Sequence, residues 1–126
     1  MARILVVEDD TVIALVLKEV LSDEGYQVIL AADGQEAVDI LAEGPEIDLV
    51  VTDLRLPYIE GGDIIRMMRF IPELQEIPVI IVTGSWLMDL PPPETYQALI
   101  QKPFDIVAFV SEVRRLLRLG SVATLH

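Results

Sequence analysis

Acids, a hydroxyl and an amine recur in this chain directly after short apolar runs. Glu8-Asp9-Asp10 follow Ile4-Leu5-Val6-Val7, Asp53 follows residues 47–52, Thr83 follows 78–82, and Lys102 comes soon after Ala98-Leu99-Ile100. Several carboxylates in one crevice repel each other unless a cation sits among them. Oxygen ligands without nitrogen or sulfur select a hard cation, and Mg²⁺ retaining several waters suits them. Taken singly, each residue has a bland explanation. Asp10 would cap a helix, Asp53 would form a turn, Thr83 before a glycine would end a strand, and Lys102 would be a solvated charge. Their coincidence at four strand ends is what points to a site.

Composition removes other chemistries. There is no cysteine, so disulfides, zinc-thiolate sites and thiol nucleophiles are excluded, and the single histidine, His126, is the last residue, which leaves a serine–histidine pair without a base. Nine Lys and Arg against 21 Asp and Glu give a net charge of −12. A surface this acidic repels phosphate backbones and anionic membranes, so no direct nucleic-acid or membrane partner is expected. No apolar run approaches the roughly 18 residues needed to span a bilayer, and residues 1–7 are too short for a signal peptide. The expected location is the cytoplasm. At 126 residues and 52% hydrophobic, the chain reads as one folded domain.

The elements that must position the candidate residues alternate in kind. Residues 4–7 form a β-branched run suited to a strand covered on both faces. Residues 11–24 carry apolar side chains at helical spacing, with Asp10 or Thr11 to cap the start and Gly25 to end it. Strands at 27–30, 47–52 and 78–82 and a weak one at 98–100 alternate with helices at 34–43 and 63–71, and a final helix at 104–119 ends at Gly120. This alternation predicts an α/β fold, a single doubly wound parallel sheet of five strands with helices on both faces. In such sheets the functional crevice lies at the carboxyl ends of the strands, and an order 2-1-3-4-5 would make the candidate residues converge there. Between the fourth and fifth strands Pro91-Pro92-Pro93 forbid a full helix.

The combination Val6-Val7-Glu8-Asp9-Asp10, Thr52-Asp53-Leu54-Arg55-Leu56-Pro57, Val82-Thr83-Gly84 and Lys102-Pro103-Phe104 resembles the receiver domain of bacterial two-component response regulators. The likeness covers residues 2–119 and implies the flavodoxin-like strand order 2-1-3-4-5, with residues 120–126 as a tail. It implies that Asp53 is the phosphoacceptor. Asp9, Asp10 and Asp53, with the backbone carbonyl of Arg55, would hold Mg²⁺. Thr83 and Lys102 would bind phosphoryl oxygens. Phosphoryl transfer asks mainly for in-line positioning and charge neutralisation, which this set supplies. The implied donor is a sensor histidine kinase or histidine phosphotransfer protein. The implied output is a protein partner or homodimer through residues 84–101 and the final helix. The chain would be no enzyme beyond its own phosphorylation and dephosphorylation.

Three positions depart from the family pattern. Leu99 stands where an aromatic switch residue is usual, with Tyr96 three residues earlier. The proline run falls where the fourth helix belongs, leaving that helix shortened or disrupted and offering Trp86, Leu87, Met88 and Leu90 as an apolar contact patch. Arg55 and Ser85 occupy positions that adjust hydrolysis of the aspartyl phosphate. Leu99 and the broken helix also raise a second reading, a pseudo-receiver that works as an interaction module without phosphorylation.

Overall fold

The computed structural model describes residues 1–44, 46–84 and 90–125, with side chains through Leu119. Strands β1 (Arg3–Val7), β2 (Gln27–Ala31), β3 (Leu49–Thr52), β4 (Val79–Thr83) and β5 (Ala98–Gln101) alternate with helices α1 (Thr11–Asp23), α2 (Gly34–Glu43), α3 (Gly61–Phe70) and α4 (Ile106–Leu125). They form one sheet in the order β2-β1-β3-β4-β5, every neighbouring pair parallel. This is the architecture and order expected from the sequence.

The continuous apolar runs are explained by two cores. Side chains alternate across a strand, so Leu5 and Val7, Val50, and Val79 and Ile81 join one core with Ala37 and Leu41 of α2 and Ile64, Ile65 and Met68 of α3. Ile4 and Val6, Leu49 and Val51, and Ile80 and Val82 join the other, under Leu17 and Leu21 of α1 and Phe109 and Val113 of α4. With both faces covered, no position in the central strands can be polar until the strand ends.

Local signals set the helix ends. Asp10 caps α1, its Oδ1 accepting from the amides of Val12 at 3.0 Å and Ile13 at 3.1 Å. Gly25, at φ +92°, lets the chain turn back towards β2. Asp33 caps α2 through the Glu36 amide at 2.7 Å, and Asp105 caps α4 through Val107 at 2.8 Å.

The crossover from β4 to β5 departs from the alternation as expected. Its described residues contain a single 3₁₀ turn, Pro93–Thr95. Pro91 is buried and Leu90 packs against the α2/α3 core together with Tyr96 and Leu99. Leu99 is therefore a packing residue here. Ser85 and three members of the expected contact patch, Trp86, Leu87 and Met88, lie outside the described residues. The final helix differs from expectation, running past Gly120 to Leu125. A glycine inside a helix costs only about 1 kcal/mol relative to alanine, so Gly120 does not by itself compel an end.

Candidate functional site

The parallel order brings the carboxyl ends of β1, β3, β4 and β5 side by side, and the candidate residues sit on them. Glu8 still belongs to the sheet, its amide donating to Ala31 O at 3.0 Å, and the Asp53 amide donates to Val7 O at 3.1 Å. Both side chains are nearly buried as a result, Glu8 at 4% exposure and Asp53 at 9%. Thr83 is fully buried at the end of β4, and its carbonyl accepts from the Lys102 amide at 2.8 Å. That bond carries the lysine into the crevice, and the Lys102–Pro103 peptide that follows is cis.

Every oxygen of Asp53 is held. Oδ1 accepts from the amides of Leu54 at 2.6 Å and Arg55 at 3.2 Å, and Oδ2 accepts from Lys102 Nζ at 2.8 Å. The loop that follows is fixed by two close approaches of backbone. A Cβ on Gly61 would stand 2.0 Å from Asp53 O, and one on Gly34 would stand 1.8 Å from Ile59 O. Only glycine permits α3 and α2 to start so near the loop. Gly61 N also donates to Leu54 O at 3.0 Å and Gly34 N to Pro57 O at 3.2 Å.

Lys102 Nζ bridges Asp53 and Glu8 Oε1. Burial works to lower the pKa of this amine, but the hydrogen bonds and charges of Asp53 and Glu8 outweigh it and raise it above its ordinary value. Glu8 is also raised, by burial first and then by the nearby charges of Asp53 and Asp9, against the opposing pull of Lys102. Its second oxygen, Oε2, is buried with no hydrogen-bond partner among the described residues.

Glu8, Asp9 and Asp53 each offer an oxygen within 4.8 Å of the others. Three carboxylates facing one ammonium leave excess negative charge, and the orphaned Glu8 oxygen lacks a donor. An all-oxygen set of this kind fits a hard divalent cation such as Mg²⁺. Asp10 is not one of the three; its carboxylate is committed to the start of α1. Arg55 extends to Glu60 at 3.3 Å along the exposed side of the loop.

The structure brings Asp9, Asp53 and Lys102 to one crevice and Thr83 to the neighbouring strand end, and it adds Glu8, which the sequence reading leaves out of the Mg²⁺ ligand set, and Gly61, which that reading does not single out. The signal for Glu8 was available: it is the first residue past β1, where the chain still follows the sheet, whereas Asp10 stands at a helix-capping position.

Comparison with known proteins decides the family. Residues 4–114 match the response regulator receiver domain. The chain belongs to that family. It is 38% identical over 123 residues to sporulation initiation phosphotransferase F of Bacillus subtilis, covering 94% of this chain and 96% of that one. It is 36% identical to the transcriptional regulatory protein CpxR of Escherichia coli, but spans 50% of that protein. It likewise spans 56% of the probable transcriptional regulator ycf29 of Porphyra purpurea. Against some curated relatives this receiver domain is thus about half a protein, against others nearly a whole one. Among solved structures, a receiver domain protein of Clostridium thermocellum superimposes with a TM-score of 0.87 at 28% identity, covering 98% of this chain and 99% of the other. The response regulator TrrA of Thermotoga maritima, in complex with Mg²⁺ and BeF, gives 0.81 at 30% identity over 92% of this chain and 99% of that one. Receiver domains bind Mg²⁺ at an acidic pocket and serve as phosphoacceptors in two-component signalling, with histidine kinases and phosphotransfer proteins as partners. Among the described residues, no helix is long and apolar enough to cross a membrane.

Proposed function

We propose that this receiver accepts a phosphoryl group on Asp53 from the phosphohistidine of a kinase or phosphotransfer protein, in a Mg²⁺-dependent reaction, and signals through altered protein contacts. The arrangement of Asp53 carries the reading: a nearly buried carboxylate between two backbone amides and a lysine, beside two further acids.

An Asp53 oxygen attacks phosphorus while the P–N bond of the donor histidine breaks, and the imidazole leaves with its electron pair. The Leu54 and Arg55 amides fix the direction of the carboxylate, so the attack needs little reorganisation. Lys102 Nζ moves from Asp53 Oδ2 to a phosphoryl oxygen and neutralises part of its charge. The Thr83 hydroxyl, buried at the neighbouring strand end, bonds another. Asp9, Asp53 and Glu8, with the Arg55 carbonyl, would hold the cation, and Asp10 serves the cap of α1. A bound Mg²⁺ would supply positive charge in addition to that of Lys102 and lower the cost of bringing a phosphate to three acids.

The donor's approach is supported by α1, which starts at the rim of the site and leaves Val12 71%, Leu15 56% and Val16 40% exposed. An apolar helical surface beside the acceptor suits a protein donor better than a small phosphate ester. Output contacts are assigned to residues 84–101 and α4.

The test is intact mass after incubation with acetyl phosphate and Mg²⁺, beside a chelated sample and Asp53→Asn. A gain of one phosphoryl group, absent in both controls, is expected. If no adduct forms and beryllofluoride also fails to bind, the domain is an interaction module instead.

A further inference from the structure

Arg69 closes α3 at the end of the sheet opposite the acid cluster. A guanidinium has five N–H donors, and here all five are engaged. Nε and Nη2 donate to the Thr95 carbonyl at 3.0 and 2.7 Å, and Nη1 donates to the carbonyls of Gln75 at 3.0 Å and Ile77 at 2.9 Å. Nη2 also donates to Gln97 Oε1 at 3.4 Å. The same Gln97 oxygen accepts the Val79 amide at 2.7 Å, and the Gln97 amide donates to Val79 O at 2.9 Å. One side chain thus ties the α3–β4 loop, the 3₁₀ turn and the entry to β5 to the first residue of β4.

This knot stands where something must fix β5. The strand lies at the sheet edge, paired only with β4, and its register runs Ile80 to Ala98, Ile81 to Leu99, Val82 to Ile100 and Thr83 to Gln101. A slip of one residue would turn every β5 side chain to the other face. Lys102 follows Gln101 directly, so wherever the register begins decides where its amine arrives. Burial lowers the Arg69 pKa, with Glu76 opposing, yet arginine remains a cation under such conditions. Four of its five bonds go to backbone carbonyls, which hold whatever the neighbouring side chains do.

We infer that Arg69 is a positioning residue for Lys102, acting through the register of β5 against β4. The chemical role of that positioning rests on the receiver reading of the site. Glu8, Asp9 and Asp53 follow β1 and β3, whereas the Arg69 bonds go to residues 75, 77, 95 and 97, so Arg69 bears on the acid cluster through Lys102.

The experiment compares wild type with Arg69→Gln and with Arg69→Lys, which keeps the charge but loses the planar fork. Three quantities are read: Mg²⁺ affinity, beryllofluoride affinity at saturating Mg²⁺, and the rate at which an amine-acetylating reagent labels Lys102. In Arg69→Gln, beryllofluoride should bind about tenfold more weakly, the loss expected for one misplaced charge-assisted hydrogen bond. Lys102 should be labelled faster and Mg²⁺ should bind no more weakly, since an amine drawn away from Asp53 and Glu8 frees oxygens for the cation, with Arg69→Lys intermediate. Should Arg69→Gln not fold, Gln97→Ala carries the same comparison. Unaltered beryllofluoride affinity and labelling overturn the inference. So does parallel loss of Mg²⁺ and beryllofluoride, which is general loosening. If wild type takes up no beryllofluoride, the receiver reading fails, and Lys102 labelling alone decides on Arg69: equal rates in wild type and variant overturn it.

Discussion

The backbone oxygen of Asp53 lies 2.0 Å from where a Cβ on Gly61 would stand, while a Cβ on its neighbour Gly62 would meet nothing nearer than the Arg66 guanidinium at 3.9 Å. Two adjacent glycines therefore have opposite expectations. Gly61→Ala must push α3 away from the acceptor loop, a steric cost of about 1–3 kcal/mol, and should slow phosphoryl uptake because the Leu54 and Arg55 amides move with the loop. Gly62→Ala should stabilise by up to about 1 kcal/mol through helix propensity. Denaturant unfolding and acetyl phosphate uptake check both. Equal stability of the two variants would remove the close approach from the argument.

Lys102 Nζ sits 2.8 Å from Asp53 Oδ2, on the oxygens that a divalent cation also needs. Removing the amine should move two affinities in opposite directions. In Lys102→Gln the acids lose the ammonium hydrogen-bonded to Glu8 and Asp53, so Mg²⁺ should bind more tightly, by several-fold. Beryllofluoride should bind at least about tenfold more weakly for want of the charge-assisted bond. Calorimetric titration of each ligand gives the answer. Weakening of both would mean that Lys102 holds the crevice together and does not compete with the cation.

Much of this was legible in the residues. The apolar runs at β1, β3 and β4 could be read as buried strands because both faces are covered, and the acids, Thr83 and Lys102 fall where those runs stop. The strand order came with the family resemblance, since periodicity says nothing about which strands pair. Glu8 was left out of the expected ligand set in favour of Asp10 because three consecutive acids look interchangeable until the fold separates them. Sheet geometry buries Glu8, while Asp10 turns to the α1 amides. Arg69 could not be found at all, for four of its bonds go to the three backbone carbonyls of Gln75, Ile77 and Thr95, and backbone acceptors leave no mark on residue type.

Glu8 and Asp10 can be told apart experimentally. Glu8 Oε2 is buried without a hydrogen-bond partner among the described residues, and burial with two neighbouring acids raises the pKa of this carboxyl. Glu8→Gln should therefore make the metal-free protein more stable while weakening Mg²⁺ binding. Asp10→Ala should do the reverse: it removes the bonds to Val12 and Ile13 and costs about 1 kcal/mol as a lost helix cap, with little change in Mg²⁺ affinity. Thermal unfolding in chelator, followed by Mg²⁺ titration, separates the two. A larger loss of Mg²⁺ affinity in Asp10→Ala than in Glu8→Gln would return Asp10 to the ligand set.

Tyr58 stands at φ +69° with its side chain 85% exposed. The Ile59 amide donates to Pro57 O at 2.8 Å, which closes a three-residue turn centred on Tyr58. A bulky residue at positive φ carries strain of about 1–3 kcal/mol, and an exposed ring recovers little of it by packing. Tyr58→Gly removes the strain but adds about 0.5–1 kcal/mol of chain entropy to the unfolded state, so the net gain should be about 1 kcal/mol. For a domain of this size that raises Tm by roughly 4 °C. Tyr58→Ala keeps the Cβ and the strain, and should unfold at nearly the wild-type temperature. The difference between the two variants isolates the backbone from the ring. If Tyr58→Gly melts no higher than Tyr58→Ala, the turn is not strained, and the tyrosine is held there by contacts that exposure alone does not reveal.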